Sequence, residues 1–222
     1  MAQELQPTAI FDLDGTLIYT LPCLGKSGND MLESYGLTPY PLESYKMLVG
    51  NGSRILVERM LAGRHSDLDV DQALDRYLAC FHKNVLYKLE AYPGLPESLS
   101  QLKKQGYRLA VLTNKPDALA KITIEACYPP GFFEPIRGQR PGGPIKPDPQ
   151  LLPAFIKEIG ADPARSVFVG DSAVDIHTAK TAHLPSIGVL WGYRDREELQ
   201  TAGADCLLEH ADELVAAVTN LT

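Results

Sequence analysis

The sequence predicts an α/β protein, a parallel sheet with helices on both faces and a helical cap inserted after the first strand. Three observations predict it. Short apolar segments rich in β-branched and aromatic residues recur along the chain and read as buried strands. Between most of them, apolar residues repeat every three or four positions, the period of a helix packed on one side. Such alternation is the pattern of a parallel sheet covered on both faces. Third, residues 21–90 show helical patterns only, and roughly 70 residues are too many for a loop in a compact domain.

In chain order, residues 8–13 form the first expected strand. The clearest cap helix carries Val70, Leu74, Tyr77, Leu78, Phe81, Val85 and Leu89 at helical spacing. Residues 91–96, with Pro93, Gly94 and Pro96, read as the return hinge. Leu95, Leu99 and Leu102 step along a helix face before a second strand at 108–113. A weaker strand is expected at 132–137, followed by a Pro/Gly-rich loop at 140–149. That loop leads into a helix marked by Leu151, Leu152, Phe155, Ile156 and Ile159. Strands follow at 166–170 and 185–191, with a brief sixth near 205–208. The expected division is a core of residues 1–18 and 91–222 and a cap of residues 19–90.

A chain of 222 residues can bury one good core with a smaller lid. Its net charge of −7 argues against nucleic-acid or anionic-membrane partners. The four cysteines are scattered, with no CxxC and no histidine at zinc spacing, so reduced, packed thiols are expected. The first residues lack the basic and apolar runs of a signal peptide, and no apolar run approaches the roughly 18 residues that span a bilayer. The expectation is a cytoplasmic protein, and nothing in the composition sets its oligomeric state.

The strongest chemical signal is Asp12-Leu13-Asp14-Gly15-Thr16 at the end of the first strand. Carboxylates at i and i+2 on extended chain point to the same side, and Gly15 lets the backbone turn sharply behind them. Such a pair suits phosphoryl transfer: one carboxylate attacks phosphorus, the other protonates the leaving oxygen and later deprotonates water. An acidic strand end that caps a turn would read the same. A calcium loop fits poorly, because Gly15 arrives too early in the spacing.

Three further strand ends carry polar residues. After the second strand come Thr113, Asn114, Lys115 and Pro116, where a hydroxyl, an amide and helix-start N–H groups could hold phosphate oxygens. A plain helix entrance, with Asn114 near the cap, explains them too. Lys146 opens Lys146-Pro147-Asp148-Pro149, where two nearby prolines could fix its ammonium to meet an anion, or it could simply face water. Asp171 follows Gly170 at a strand tip as a hard oxygen ligand, and Asp175 falls in the first turn of the next helix, which the helix dipole favours anyway. Open α/β sheets bind ligands at the carboxyl ends of their strands, and all four groups sit at, or shortly after, such ends.

Charge sets the expected cofactor. Phosphate beside Asp12, Asp14 and Asp171 brings like charges together, at about 4 kcal/mol per unit pair 4 Å apart in an effective dielectric of 20. Lys146 alone does not offset several such pairs. A divalent cation does, and all-oxygen ligation selects Mg²⁺ over zinc.

These motifs, in this order, resemble the haloacid dehalogenase superfamily. FDLDGTL, VGNGSRILVERML, YPGLPESLSQLKKQGYRLAVLTNKP, KPDPQLL, VGDSAVDIHTAKTAHLPSIGVLWGY and ELQTAGADCL together look like its phosphoglycolate phosphatase branch and cover nearly the whole chain. The resemblance implies a doubly wound, Rossmann-like core with an inserted helical cap. It implies Asp12 as nucleophile and Asp14 as general acid/base. Mg²⁺ would be held by Asp12, the Asp14 carbonyl and Asp171. Thr113 and the Asn114 backbone would bind phosphate, Lys146 would neutralise it, and Asp175 would support the metal site or Lys146. In the cap, Gly50, Asn51, Gly52, Ser53 and Arg54 resemble a substrate-facing loop in which Arg54 could meet a carboxylate; a turn with Ser53 as helix cap fits equally.

The expected activity is hydrolysis of a small phosphate monoester, with 2-phosphoglycolate the leading substrate. An inorganic pyrophosphatase or a phosphosugar mutase of the same fold remains open. So does a non-catalytic binding protein, although the intact acids and Lys146 argue against it. A dehalogenase is disfavoured because Asp14 has no part in that chemistry. Relatives usually carry an acid and a serine where Tyr19 and Thr20 stand, and a glycine where His183 stands.

Overall fold

The computed structural model describes residues 5–63 and 68–222. Residues 1–4, part of the N-terminal stretch read above, and 64–67, within the expected cap span, lie outside the described residues. A six-stranded sheet is built from β1 (Gln6–Phe11), β4 (Arg108–Pro116), β5 (Ile136–Gln139), β6 (Ala161–Gly170), β7 (Ser186–Val189) and β8 (Cys206–Leu208). Its order is β5-β4-β1-β6-β7-β8, and every pairing is parallel. The chain works outward from β1 in one direction and then restarts at β6 in the other. Between those two strands lies the switch point at which open sheets form a crevice.

Strand alternation divides the core. Ala9, Phe11, Val111 and Val169 face one side with Leu95, Leu99 and Leu102 of α5 (Leu95–Lys104) and Leu214 of α10 (Leu214–Leu221). Ile10, Ala110 and Phe168 face the other, against Leu152, Phe155 and Ile156 of α7 (Leu151–Ile159). Successive residues of β1 thus serve opposite faces, as a doubly covered parallel strand requires. α6 (Asp117–Cys127), α8 (Ala173–Thr181) and α9 (Arg196–Ala202) complete the layers.

Between β1 and β4 the chain leaves through β2 (Ile18–Tyr19), makes a helical layer, and returns through β3 (Glu90–Ala91). β2 and β3 pair antiparallel, so exit and return form one short ribbon. The layer holds α1 (Leu21–Ser34), α2 (Tyr45–Leu48), α3 (Gly52–Leu61) and α4 (Val70–Asn84), which share a core of their own around Leu32, Tyr45, Val57, Met60, Tyr77 and Phe81. No helix among the described residues is long and apolar enough to cross a membrane.

Strand ends shift from expectation, β1 to Gln6–Phe11, β4 to Arg108–Pro116 and β7 to Ser186–Val189, and two further shifts have a visible cause. β5 begins at Ile136 rather than 132, because Phe133 turns inward and packs edge-on against Phe11 and Tyr128. β6 starts five residues early, at Ala161, where a polar stretch reaches back to pair with Gln6 and carries no apolar signal.

Candidate active site

The Asp12 N–H donates to Val169 O at 2.9 Å, extending the β1–β6 ladder one step past the strand. Asp12 and Asp171 are thereby held on adjacent tips. Leu13 turns into the core, while its carbonyl accepts from the N–H groups of Thr16, Leu17 and Ile18. The turn needs Gly15: its φ is +86°, and a Cβ there would collide with the Asp171 carboxylate. Asp171 accepts from the Tyr193 N–H at 2.7 Å and the Thr16 hydroxyl at 3.3 Å, so its carboxylate is aimed as well as buried.

Lys146 reaches this rim from the loop before α7 with its side chain 1% exposed. Its Nζ donates to Asp175 Oδ1 at 2.7 Å and lies 2.8 Å from Asp12 Oδ1. The two prolines expected to fix it are secondary to Asn114. That side chain accepts from the Lys146 N–H at 2.7 Å and donates to the Lys146 carbonyl at 3.1 Å. Asn114 is therefore no helix cap: β4 runs on to Pro116 before α6 begins. Asp175 Oδ2 accepts from the N–H and hydroxyl of Ser172, which locks it as the partner of Lys146.

The acids outnumber the cations here. Burial pushes the Asp12 carboxyl up to about 6, with Lys146 pulling the other way. Burial, then the charges of Asp175 and Asp12, hold Asp171 well above the usual carboxylate range. Burial also works against the Lys146 ammonium, but Asp12 and Asp175 outweigh it and raise its pKa. Oxygens of Asp12, Asp171 and Asp175 lie within 4.8 Å of one another. Asp12 Oδ1 is buried without a hydrogen-bond partner among the described residues, its 2.8 Å contact with Lys146 lacking hydrogen-bond angles. A hard divalent cation fits this donor set, since it supplies the missing charge to oxygens already gathered.

The helical layer closes over the rim. Asn114 Nδ2 donates to Gly50 O at 3.1 Å, and Arg194 donates to the carbonyls of Lys46 and Val49. Enclosed between them is a cleft of about 50 Å³, with Asp12, Asp14, Thr113 and Lys115 on the sheet side and Tyr77 and Phe81 on the cap side.

Residues 9–189 match the family model of the haloacid dehalogenase-like hydrolases. The chain belongs to the haloacid dehalogenase-like hydrolase family. A phosphoglycolate phosphatase of Mesorhizobium japonicum is 38% identical over 94% of this chain and 93% of its own length. A phosphoglycolate phosphatase of Caulobacter vibrioides is 35% identical over 97% and 92%. Among solved structures, CbbY of Rhodobacter sphaeroides, in complex with phosphate, superposes with a TM-score of 0.82 at 25% identity, covering 97% of this chain and all of that one.

Within this hydrolase the expected residues divide. Asp12, Asp14, Thr113, Asn114 and Asp171 line the cleft, and Lys146 and Asp175 stand directly behind Asp12. Gly50 and Gly52, at φ +112° and +83°, carry the cap loop against the rim. Asn51 turns back to accept from Arg59, and Ser53 lies inside α3 rather than capping it. Arg54 turns away: its guanidinium pairs with Asp71 and lies 3.8 Å from Glu58, half exposed on the outer side of α3. Trp191 is structural, its indole N–H bonded to Thr16 O.

The hydrolase departures also find partners. The Thr20 N–H and hydroxyl bond the Tyr193 hydroxyl at 3.0 and 2.9 Å, and the Tyr19 ring packs edge-on against Tyr92 and Tyr193. Sequence reasoning missed three cleft residues. Lys115 had a signal, its place beside Thr113 and Asn114. Tyr77 was legible only as a core position, and Arg194 carried none.

Proposed function

We propose that this hydrolase is a Mg²⁺-dependent phosphatase that acts on a small phosphate monoester, with 2-phosphoglycolate as its substrate. The observation that carries the reading is Asp12: a buried carboxylate beside a buried ammonium, with a second carboxylate two residues on at the same cleft. An Asp12 oxygen attacks phosphorus as the bond to the leaving oxygen breaks, and Asp14 gives that oxygen its proton. Asp14 then takes a proton from water, which attacks the phosphoryl group on Asp12 and releases inorganic phosphate. Lys146 balances phosphate charge, and Thr113 and the Asn114 N–H orient its oxygens. Asp12, the Asp14 carbonyl and Asp171 would hold Mg²⁺, which supplies charge neutralisation and alignment for in-line displacement. Asp175 keeps Lys146 in place. The cap excludes bulk water while Asp12 is phosphorylated.

The relatives named as phosphoglycolate phosphatases support the substrate. Purified protein is expected to release phosphate from 2-phosphoglycolate with Mg²⁺ and not with EDTA. The near-isosteric Asp12→Asn should abolish turnover while leaving the melting temperature little changed. Metal-independent release, or an active Asp12→Asn enzyme, overturns the mechanism. A flat kcat/KM profile across 2-phosphoglycolate, pyrophosphate and sugar phosphates overturns the substrate.

A further inference from the structure

Lys115 and Tyr77 have no part in the chemistry above, yet both are buried at the cleft. The Lys115 side chain is fully buried, with Nζ 2.8 Å from Asp14 Oδ1 and 4.6 Å from the centre of the Phe81 ring. An ammonium has three N–H donors, and that carboxylate oxygen is its one hydrogen-bond acceptor among the described residues. The Tyr77 hydroxyl is buried with no hydrogen-bond partner among them. Tyr77 and Phe81 stand one turn apart on α4, on the same face, and their rings pack with centroids 5.6 Å apart. Donors left short of acceptors in a closed cleft are costly unless something else accepts from them.

We propose that Lys115 and Tyr77 form a subsite for a carboxylate carried one carbon from the substrate's phosphate ester. The inference rests on the phosphatase reading and adds to it the residues that select the substrate. A phosphate held near Asp12 already has Lys146 and the metal to balance it. A second anionic group needs a cation of its own; of the two further cations that line the cleft, Arg194 is taken up by the Lys46 and Val49 carbonyls and Glu198, which leaves Lys115 beside Asp14. One ammonium and one neutral hydroxyl match a singly charged carboxylate; a second phosphoryl group would bring more charge than they balance. Leu24, Leu56 and Phe81 wall the cleft around them, an apolar surround that strengthens a buried ion pair. Arg54, the cation that sequence pattern suggests for this role, is occupied by Asp71 outside the cleft. Lys115 takes its place from the opposite side, on the core.

The test compares 2-phosphoglycolate with 2-hydroxyethyl phosphate, which has the same length and a neutral end. The wild type should favour the carboxylate ester in kcat/KM. Lys115→Met should cut that preference by about 100-fold, and Tyr77→Phe by about 10-fold. Lys115→Arg should restore part of it. The preference is a ratio, so a general loss of rate in any variant does not imitate the result. An unchanged ratio in both Lys115→Met and Tyr77→Phe overturns the proposal, as does a wild type indifferent to the carboxylate. Calorimetric binding of the same two compounds is measured in parallel with Mg²⁺. If neither is hydrolysed, the phosphatase reading fails, while loss of the binding preference in the variants still upholds the subsite and its retention still overturns it.

Discussion

The rim of the sheet and the inner face of the cap enclose one cleft, and they are held in opposite ways. Asp12 and Asp171 stand one step past paired strands, Lys146 and Asp175 reach them from a loop and a helix start, and buried charged contacts tie the four together. Asp175 holds Lys146, Lys146 meets Asp12, and Asn114 grips the Lys146 backbone twice. The cap face presents mostly apolar side chains with the hydroxyls of Ser53 and Tyr77, and reaches the rim through a few bonds, from Asn114 to Gly50 and from Arg194 to Lys46 and Val49. Phosphoryl transfer requires atoms placed to within a fraction of an ångström, which a buried charge network provides. Substrate entry requires a face that can leave, and a small set of surface-reaching hydrogen bonds permits it.

The hardest break in that contrast is Lys146→Met. It leaves Asp12 and Asp175 without their shared cation, so kcat/KM for phosphate release should fall by about 10³-fold or more. Removing one partner of a buried ionic cluster also costs on the order of 3 kcal/mol, visible as a lowered melting temperature. Arg194→Ala tests the other side. It removes the bonds to the cap carbonyls and leaves the contacts among Lys146, Asp12 and Asp175 whole, so kcat/KM should drop about 10-fold, mainly through KM, with little change in thermal stability. An Arg194 effect as large as that of Lys146 would show that the cap is part of the rigid machinery. A Lys146→Met enzyme that kept its stability would show that the rim is less tightly coupled than its hydrogen bonds imply.

The rim was legible in the sequence because its logic is local. Asp12 and Asp14 announce themselves by spacing, and Asp171 and Lys146 by following strand ends, so the fold needs only to bring the tips together. The cap was legible as helices and not as a binding face. Tyr77 sits in an apolar repeat where any core aromatic would serve, and only the fold shows that it lines the cleft and that its buried hydroxyl has no hydrogen-bond partner among the described residues. Arg54 misled for the reverse reason. A cation beside glycines looks poised for an anion, but α3 begins at Gly52 and carries it to the outer surface, where Asp71 and Glu58 claim it. Asn114 shows the same limit: a residue that reads as a helix cap instead joins three segments, because β4 continues past it.

The smallest expected effect lies away from both regions, and it sets the scale for them. α8 runs from Ala173 to Thr181, about 13 Å along its axis by helical rise, with Asp175 in its first turn at the rim. His183 follows at φ +54°, the left-handed conformation that suits glycine and strains a side chain with a Cβ. Its N–H bonds Lys180 O and the next N–H reaches Ala179 O, so the turn is made by the backbone rather than by the imidazole. His183→Gly should therefore relieve about 1 kcal/mol of strain, less a few tenths for the freer unfolded chain, and raise the melting temperature by about 2 °C. Turnover and substrate preference should stay as they are, because neither Asp175 nor the cap depends on how that turn is made. A change in kcat/KM beyond twofold would mean that strain at the far end of α8 reaches Asp175, and the rim would then extend through the helix rather than stop at the strand tips.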